Sequence, residues 1–224
     1  MGDNAVYENL LSFWNTAFQF EEAEKVSEKW ISDPVFNEVL LRCIPMDGYV
    51  LDYGSGAGWL LPEIALTLPI SEGIGVEPSA NGVAYASQTA VKSGMSEIRY
   101  LQGDEAILSA FPEYFDFAGS VNVLDVVPDE VIDRILAKLR SALKPGAYLM
   151  ICINPDYPAE MLEKAGFIYD GNCMFKDDIL RGNEKTRGEW IALLERYFQF
   201  AEYHEFALNE REHAYPRRMF LLRK

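Results

Sequence analysis

Apolar residues recur every four positions at Leu10, Trp14 and Phe18, with Leu11 and Phe13 beside them and acidic residues following at Glu21, Glu22 and Glu24. That spacing marks an amphipathic helix, and residues 5 to 44 read as a helical, aromatic N-terminal cap. The period then shortens. Tyr49-Val50-Leu51-Asp52-Tyr53 is a brief apolar run ending in Gly54-Ser55-Gly56-Ala57-Gly58, with a helical stretch from Trp59 to Leu68 behind it. This predicts strand, glycine turn, helix. The alternation repeats with a strand at Gly73 to Glu77, a helix from about Asn81 to Ser93, and strands at Ile98 to Gln102 and Phe115 to Val121. The next helix puts Val131, Ile135, Leu139 and Leu143 on one stripe. Lys144-Pro145-Gly146 then suits a type II turn before a fifth strand, Ala147 to Ile153. Strands alternating with helices need βαβ crossovers, hence an α/β fold with a parallel sheet covered on both faces.

Beyond Asn154 the pattern loosens. It predicts a helix at Ala159 to Lys164, a small hairpin of Phe167 to Tyr169 and Cys173 to Phe175, and a helix from about Glu189 to Tyr197. Phe200 to Leu208 and Met219 to Leu222 read as two last strands pairing antiparallel at a sheet edge. A length of 224 residues suits one domain, divided into a cap (1–44), a core (45–155), an insertion (156–190) and a C-terminal helix and strand pair (191–224).

Composition narrows the partners. The chain is 49% hydrophobic and 25% charged, ordinary globular usage, and has no run near the roughly 20 apolar residues of a membrane helix. With no basic segment leading an apolar run at the N-terminus, a soluble, cytoplasmic protein without a membrane partner is expected. Cys43, Cys152 and Cys173 show no Cys-x-x-Cys spacing, so they read as core thiols, and neither a disulfide framework nor a metal site is expected. A net charge of -15 argues against nucleic acid and favours small molecules, neutral or cationic ones especially.

In an open α/β sheet, ligands bind beyond the carboxyl ends of the strands. Glycines at 54, 56 and 58 allow a sharp turn and close backbone approach, although a plain tight turn would use them too. Trp59 stands where a dinucleotide fingerprint has its third glycine, which argues against an NAD-dependent oxidoreductase. Glu77, ending the second strand, can accept from both hydroxyls of a ribose, and Asp104, after the third, from an adenine amino group. Singly, such an acid is more often a strand-end surface charge than a ligand. Three strand ends carrying suitable groups in order are less readily accidental.

Val50 to Gly58, Gly75-Val76-Glu77-Pro78-Ser79, Gln102-Gly103-Asp104, Phe115-Asp116 through Val127-Pro128-Asp129, and Leu143-Lys144-Pro145-Gly146 together resemble the class I, Rossmann-like S-adenosylmethionine-dependent methyltransferases. The resemblance covers about residues 45 to 155. It implies a mostly parallel seven-stranded sheet with one antiparallel C-terminal strand, S-adenosylmethionine as cofactor and S-adenosylhomocysteine as product. It places Asp52 and the loop residues Gly54, Ser55, Gly56 and Gly58 at the methionine moiety and Glu77 at the ribose, with Pro78 and Ser79 beside it. Asp104 and Glu105 fall to the adenine, and Ser120 and Asn122 lie near the sulfonium. Many relatives carry His where this chain has Val126, so a mechanism needing a base there is in doubt and no catalytic residue is assigned.

Methyl transfer from a sulfonium rests mainly on positioning the nucleophile behind the methyl carbon. The acceptor is usually chosen by the cap and by the insertion after strand five, here residues 1 to 44 and about 155 to 190. Candidate acceptor contacts are Trp14 and Phe18 with Tyr7, as a cover over the cofactor or an aromatic box for a cationic acceptor, Asp125, His204, and Arg217 with Arg218 for an anionic group, although each has a bland alternative in core packing, a strand edge or a solvated turn. Transfer of another group from a modified cofactor, and an idle relative acting as a scaffold, are the competing readings.

Overall fold

The computed structural model describes residues 3–20, 22–209 and 212–224. The stretch over 5 to 44 that reads as helical holds two helices, α1 (Asp3–Ala17) and α2 (Pro34–Cys43). The start of α2 has a local cause. Asp33 Oδ1 accepts from the amides of Val35 at 2.9 Å and Phe36 at 3.2 Å, and Pro34 occupies the first turn, so a new helix starts there. Between the two helices Ala23 and Ile31 are buried, and the amides of Trp30 and Ile31 donate to Glu63 at 2.8 and 3.3 Å. Of the acidic cluster, Glu21 lies outside the described residues.

From there the alternation is as the pattern predicts: β1 (Gly48–Tyr53), α3 (Leu60–Ala65), β2 (Ile70–Glu77), α4 (Ala80–Ser93), β3 (Ile98–Gln102), β4 (Phe115–Val121), α5 (Asp129–Ala142) and β5 (Leu143–Ile153). Short 3₁₀ turns at Glu105–Ala110 and Leu124–Val126 follow β3 and β4. Then come α6 (Ala159–Lys164), β6 (Ile168–Asp170), β7 (Cys173–Lys176), β8 (Ile179–Asn183), α7 (Arg187–Leu194), β9 (Gln199–Phe206) and β10 (Arg217–Arg223). The main sheet has the order β3-β2-β1-β4-β5-β10-β9. β10 pairs antiparallel with both β5 and β9, the reversal expected at the C-terminus. β6, β7 and β8 form a separate antiparallel sheet, so the expected hairpin gains a third strand. Lys144-Pro145-Gly146 is not a turn ahead of the strand but lies inside β5, as an irregularity opposite Phe115 and Phe117. Gly146 still takes the left-handed φ of 77° that such a turn asks of glycine.

Side chains alternate across the sheet and sort the core into two layers. Leu51, Leu149, Ile151 and Phe220 pack with α1, α5 and α7, while Val50, Met150, Cys152 and Met219 pack with α2, α3 and α4. Cys43 and Cys152 are buried thiols and Cys173 is partly buried. Among the described residues no helix is long and apolar enough to cross a membrane.

α7 anchors the C-terminal region through Trp190 and Leu194, both fully buried. Its start is a capping box, with Thr186 Oγ1 accepting from the Glu189 amide at 3.3 Å and Glu189 Oε2 from the Thr186 amide at 2.8 Å. Thr186→Ala is expected to cost about 1 kcal/mol, seen as a melting temperature about 2 to 4 °C lower. An unchanged midpoint would mean that the cap does not limit stability.

Candidate functional site

The carboxyl ends of β1, β2 and β4 converge on one region. Leaving β1, the amides of Gly54 and Ser55 donate to the Val76 carbonyl at 2.8 and 3.1 Å, and the Gly58 amide closes a turn onto Ser55 at 2.8 Å. Gly54 has φ 73°, and a Cβ there would stand 2.2 Å from Val123 Cγ2. Glycine is therefore required by backbone conformation and by the neighbouring loop together.

Glu77 is only 5% exposed. Its Oε2 accepts from the Gly56 amide at 2.9 Å and its Oε1 from the Ser79 amide at 2.8 Å. It is thus a fixed part of the loop rather than a solvated strand-end charge. Burial raises its carboxyl above the usual range, while the two amides pull the other way. Asp52 is 2% exposed, and its Oδ2 has no partner among the described residues. Burial, and then the negative charge of Glu77, push its carboxyl up to about 8. The hydroxyls of Ser55 and Ser120 are also buried without a partner among the described residues. Ser79 caps α4, accepting from the Gly82 amide at 3.0 Å, and donates to Asn15 Oδ1 at 2.9 Å, which ties α1 over the loop.

After β3 the two acids divide. Asp104 is exposed and caps the first 3₁₀ turn, its Oδ1 accepting from the Ala106 amide at 2.9 Å. Glu105 is buried, its Oε1 taking Arg134 Nε at 2.8 Å while Oε2 has no partner among the described residues. After β4, Asn122 holds a left-handed φ of 57°, uncommon for a residue with a side chain. Its amide donates to the Cys152 carbonyl at 2.8 Å, and its Oδ1 accepts from Arg217 Nη1 at 2.9 Å.

A cavity of about 250 Å³ lies between these strand ends and α1. Of the sequence-predicted residues, Trp14, Phe18, Gly54, Ser55, Gly56, Glu77, Pro78 and Asn122 line it. Asp52, Gly58, Ser79, Asp104, Glu105 and Ser120 are not among its lining residues. Trp14 and Phe18 stack with ring centroids 5.4 Å apart, and Phe18 sits against Gly56.

A second cavity of about 380 Å³ shares Trp14 and Val126 with the first. Asp125 lines it, 5% exposed, with Oδ2 accepting from the Asn154 amide and side-chain nitrogen at 2.8 Å each and with Oδ1 unpartnered among the described residues. Two expected acceptor contacts need correction. Arg217 is already paired with Glu212 at 2.8 Å and bonded to Asn122 and Asn154, so it clamps the ends of β4, β5 and β10 together rather than waiting for an anion. Of the two adjacent arginines, Arg218 lines the cavity. His204 lies on edge strand β9 with Nε2 2.7 Å from Glu202 Oε2, away from both cavities. Arg181, which also lines the second cavity, escapes sequence reading because it belongs to β8, the strand the pattern misses.

A family model described as "Methyltransferase domain" matches residues 50–146. Among solved structures, a S-adenosylmethionine-dependent methyltransferase of Methanosarcina mazei is 18% identical with a TM-score of 0.66, the match covering 90% of this chain and 99% of that one. A Haloferax volcanii methyltransferase, solved in complex with the Trm112 methyltransferase activator, is 17% identical with a TM-score of 0.64, covering 84% and 87%. The cyclase SpnF is 14% identical with a TM-score of 0.66, covering 97% and 94%. Compared by sequence with curated proteins, the chain finds no match. At such identities the structural likenesses speak for the fold, while the family match covers the segment holding β1 to the start of β5.

Proposed function

Taking residues 50–146 as a class I methyltransferase domain, for which S-adenosylmethionine is the implied cofactor, we propose that this chain methylates a small molecule held beside the first cavity. The observation that carries this is a set of buried oxygens at the carboxyl ends of β1, β2 and β4, of which Glu77 and Ser55 line the first cavity. Glu77 is fixed by two backbone amides, while Asp52 Oδ2 and the Ser55 and Ser120 hydroxyls have no partner among the described residues.

These groups fit the cofactor. A buried carboxyl raised to about 8 is one that an adjacent cation would return to the ionised form, and an amino-acid ammonium or a sulfonium supplies that cation. Each oxygen of Glu77 keeps a second lone pair beyond its amide bond, enough for two ribose hydroxyls. Trp14, Phe18 and Asn122 line the same cavity. When bound, the cofactor supplies a methyl carbon on a positively charged sulfur, so the protein's task is to hold a nucleophile in line behind it. In this reading residues 45–155 bind the cofactor, while residues 1–44 and 156–190 shape the acceptor site.

The experiment is calorimetric titration of the purified protein with S-adenosylmethionine, S-adenosylhomocysteine and NAD. Binding of the first two but not the third is the expected result, followed by a product heavier by one methyl group. A different added mass would mean that another group is transferred, and a chain binding none of the three would be a scaffold. Glu77→Ala should weaken S-adenosylhomocysteine binding by about 1.5 to 3 kcal/mol, the worth of bonds to a charged group. Undiminished affinity would remove Glu77 from the site.

A further inference from the structure

The second cavity meets the first at Trp14 and Val126, and Asp125 adjoins that seam within the 3₁₀ turn Leu124–Val126. A molecule filling it therefore lies next to whatever occupies the first cavity. Its polar wall is unlike the surface of a chain with a net charge of -15. Arg181 Nε is buried without an acceptor among the described residues, and its guanidinium stacks on the Phe13 ring, 3.8 Å from the centroid. Arg218 gives Nε to the Asn154 carbonyl at 3.3 Å and Nη1 to the Lys185 carbonyl at 3.1 Å, both neutral. Arg217 next to it has the ion pair with Glu212, whereas neither Arg181 nor Arg218 has a carboxylate in ion-pair contact among the described residues. At the seam, Asp125 Oδ1 is a buried acceptor without a donor among the described residues.

Resting on the methyl-transfer reading, we propose that the second cavity takes an acceptor bearing a carboxylate, seated on Arg181 and Arg218, and a protic N–H or O–H nucleophile hydrogen-bonded to Asp125 Oδ1. Guanidinium groups match the planar carboxylate in charge and in geometry. Asp156 and Glu184 share the wall, so a monoanion is favoured over a phosphate dianion. Leu162, Phe167 and Met174 offer an apolar bed for the body of the molecule. In the transfer, the bond from the methyl carbon to sulfur breaks as the bond to the acceptor N or O forms. The sulfur leaves with the electron pair as a neutral thioether, and the acceptor proton passes to Asp125 Oδ1 and on to water. Burial, which raises the Asp125 carboxyl, favours that proton acceptance. The local wall thus reverses the preference for neutral or cationic acceptors that net charge alone suggests.

The test titrates the full chain, with and without S-adenosylhomocysteine, against benzoate, its neutral isostere benzamide, and inorganic phosphate. Benzoate should bind about tenfold tighter than the other two, a difference of about 1.4 kcal/mol. In the Arg181→Gln, Arg218→Gln double variant that preference should vanish while S-adenosylhomocysteine affinity, which reports the fold, stays unchanged. Arg181→Lys with Arg218→Lys should restore part of it. Equal binding of benzoate and benzamide, tighter binding of phosphate, no benzoate binding, or a preference that survives the double Gln variant overturns the proposal. A benzoate preference in a chain that ignores S-adenosylhomocysteine would support the carboxylate seat while defeating the methyl-transfer reading, and the reverse pattern would do the opposite.

Discussion

Replacing Gly58 by alanine is expected to destabilise the protein by about 3 kcal/mol and to lower its melting temperature by about 6 to 12 °C. Two costs add. At φ 79° an alanine adopts the left-handed region, worth about 1 to 2 kcal/mol. Its Cβ would also stand 2.4 Å from Ala86 Cβ and 2.7 Å from the Tyr100 hydroxyl oxygen. Neither neighbour yields cheaply, because Ala86 is a short side chain on α4 and the buried Tyr100 donates to the Gly58 carbonyl at 3.1 Å. Overpacking of this kind costs about 1 to 3 kcal/mol. Gly94→Ala is the control: its φ is 73°, yet nothing lies within 4 Å of the new Cβ, so only the conformational cost applies. Thermal melts of the two variants side by side give the steric share, and equal losses would remove it.

Asp52→Asn should flatten the pH dependence of the ligand-free protein's stability and should weaken S-adenosylhomocysteine binding. The Asp52 carboxyl titrates at about 8 in the folded chain against 3.8 without the fold. Below about pH 4 it is protonated in both states and stability is at its greatest. Between about pH 4 and 8 the unfolded chain ionises while the folded chain resists, so stability falls as pH rises and levels off above 8. A carboxyl displaced by a single pH unit on folding changes stability by about 1.4 kcal/mol, so with relaxation of the site the loss is a few kcal/mol. The amide also leaves an unpartnered buried group, and the absolute midpoint is therefore less telling than its slope. The expected result is that the gap between variant and parent moves in favour of the variant from pH 4 to pH 8. Parallel melting curves across that range would show that folding leaves the titration of Asp52 where it was. Bound cofactor should restore stability to the parent more than to the variant, because its cation favours the ionised carboxyl.

How far the sequence reaches can be followed residue by residue. β1 and its glycine loop are legible because a short apolar run ending in clustered glycines is a local signal, needing nothing from the rest of the chain. The parallel sheet follows too, since strands joined by helices need βαβ crossovers, whereas the order β3-β2-β1-β4-β5 is set by the pairing of distant strands. Within the helical cap over 5 to 44, Asp33-Pro34 is the start signal of α2, which a periodicity count passes over. β8 is missed because Ile179-Leu180-Arg181-Gly182-Asn183 offers two apolar residues and a glycine, and forms a strand only through its pairing with β7.

The sequence by itself determined the layered α/β architecture, the left-handed glycine loop and the acidic residue ending β2, each written in neighbouring positions by backbone sterics and hydrophobic period. Tertiary structure alone decided which charges are spent and which are free to meet a ligand. Arg217 is held by Glu212 and Arg218 is not, and Asp104 faces solvent while Glu105 is buried. Those differences between adjacent residues arise because ion pairing and desolvation depend on what distant segments bring within a few ångströms, which no local pattern records.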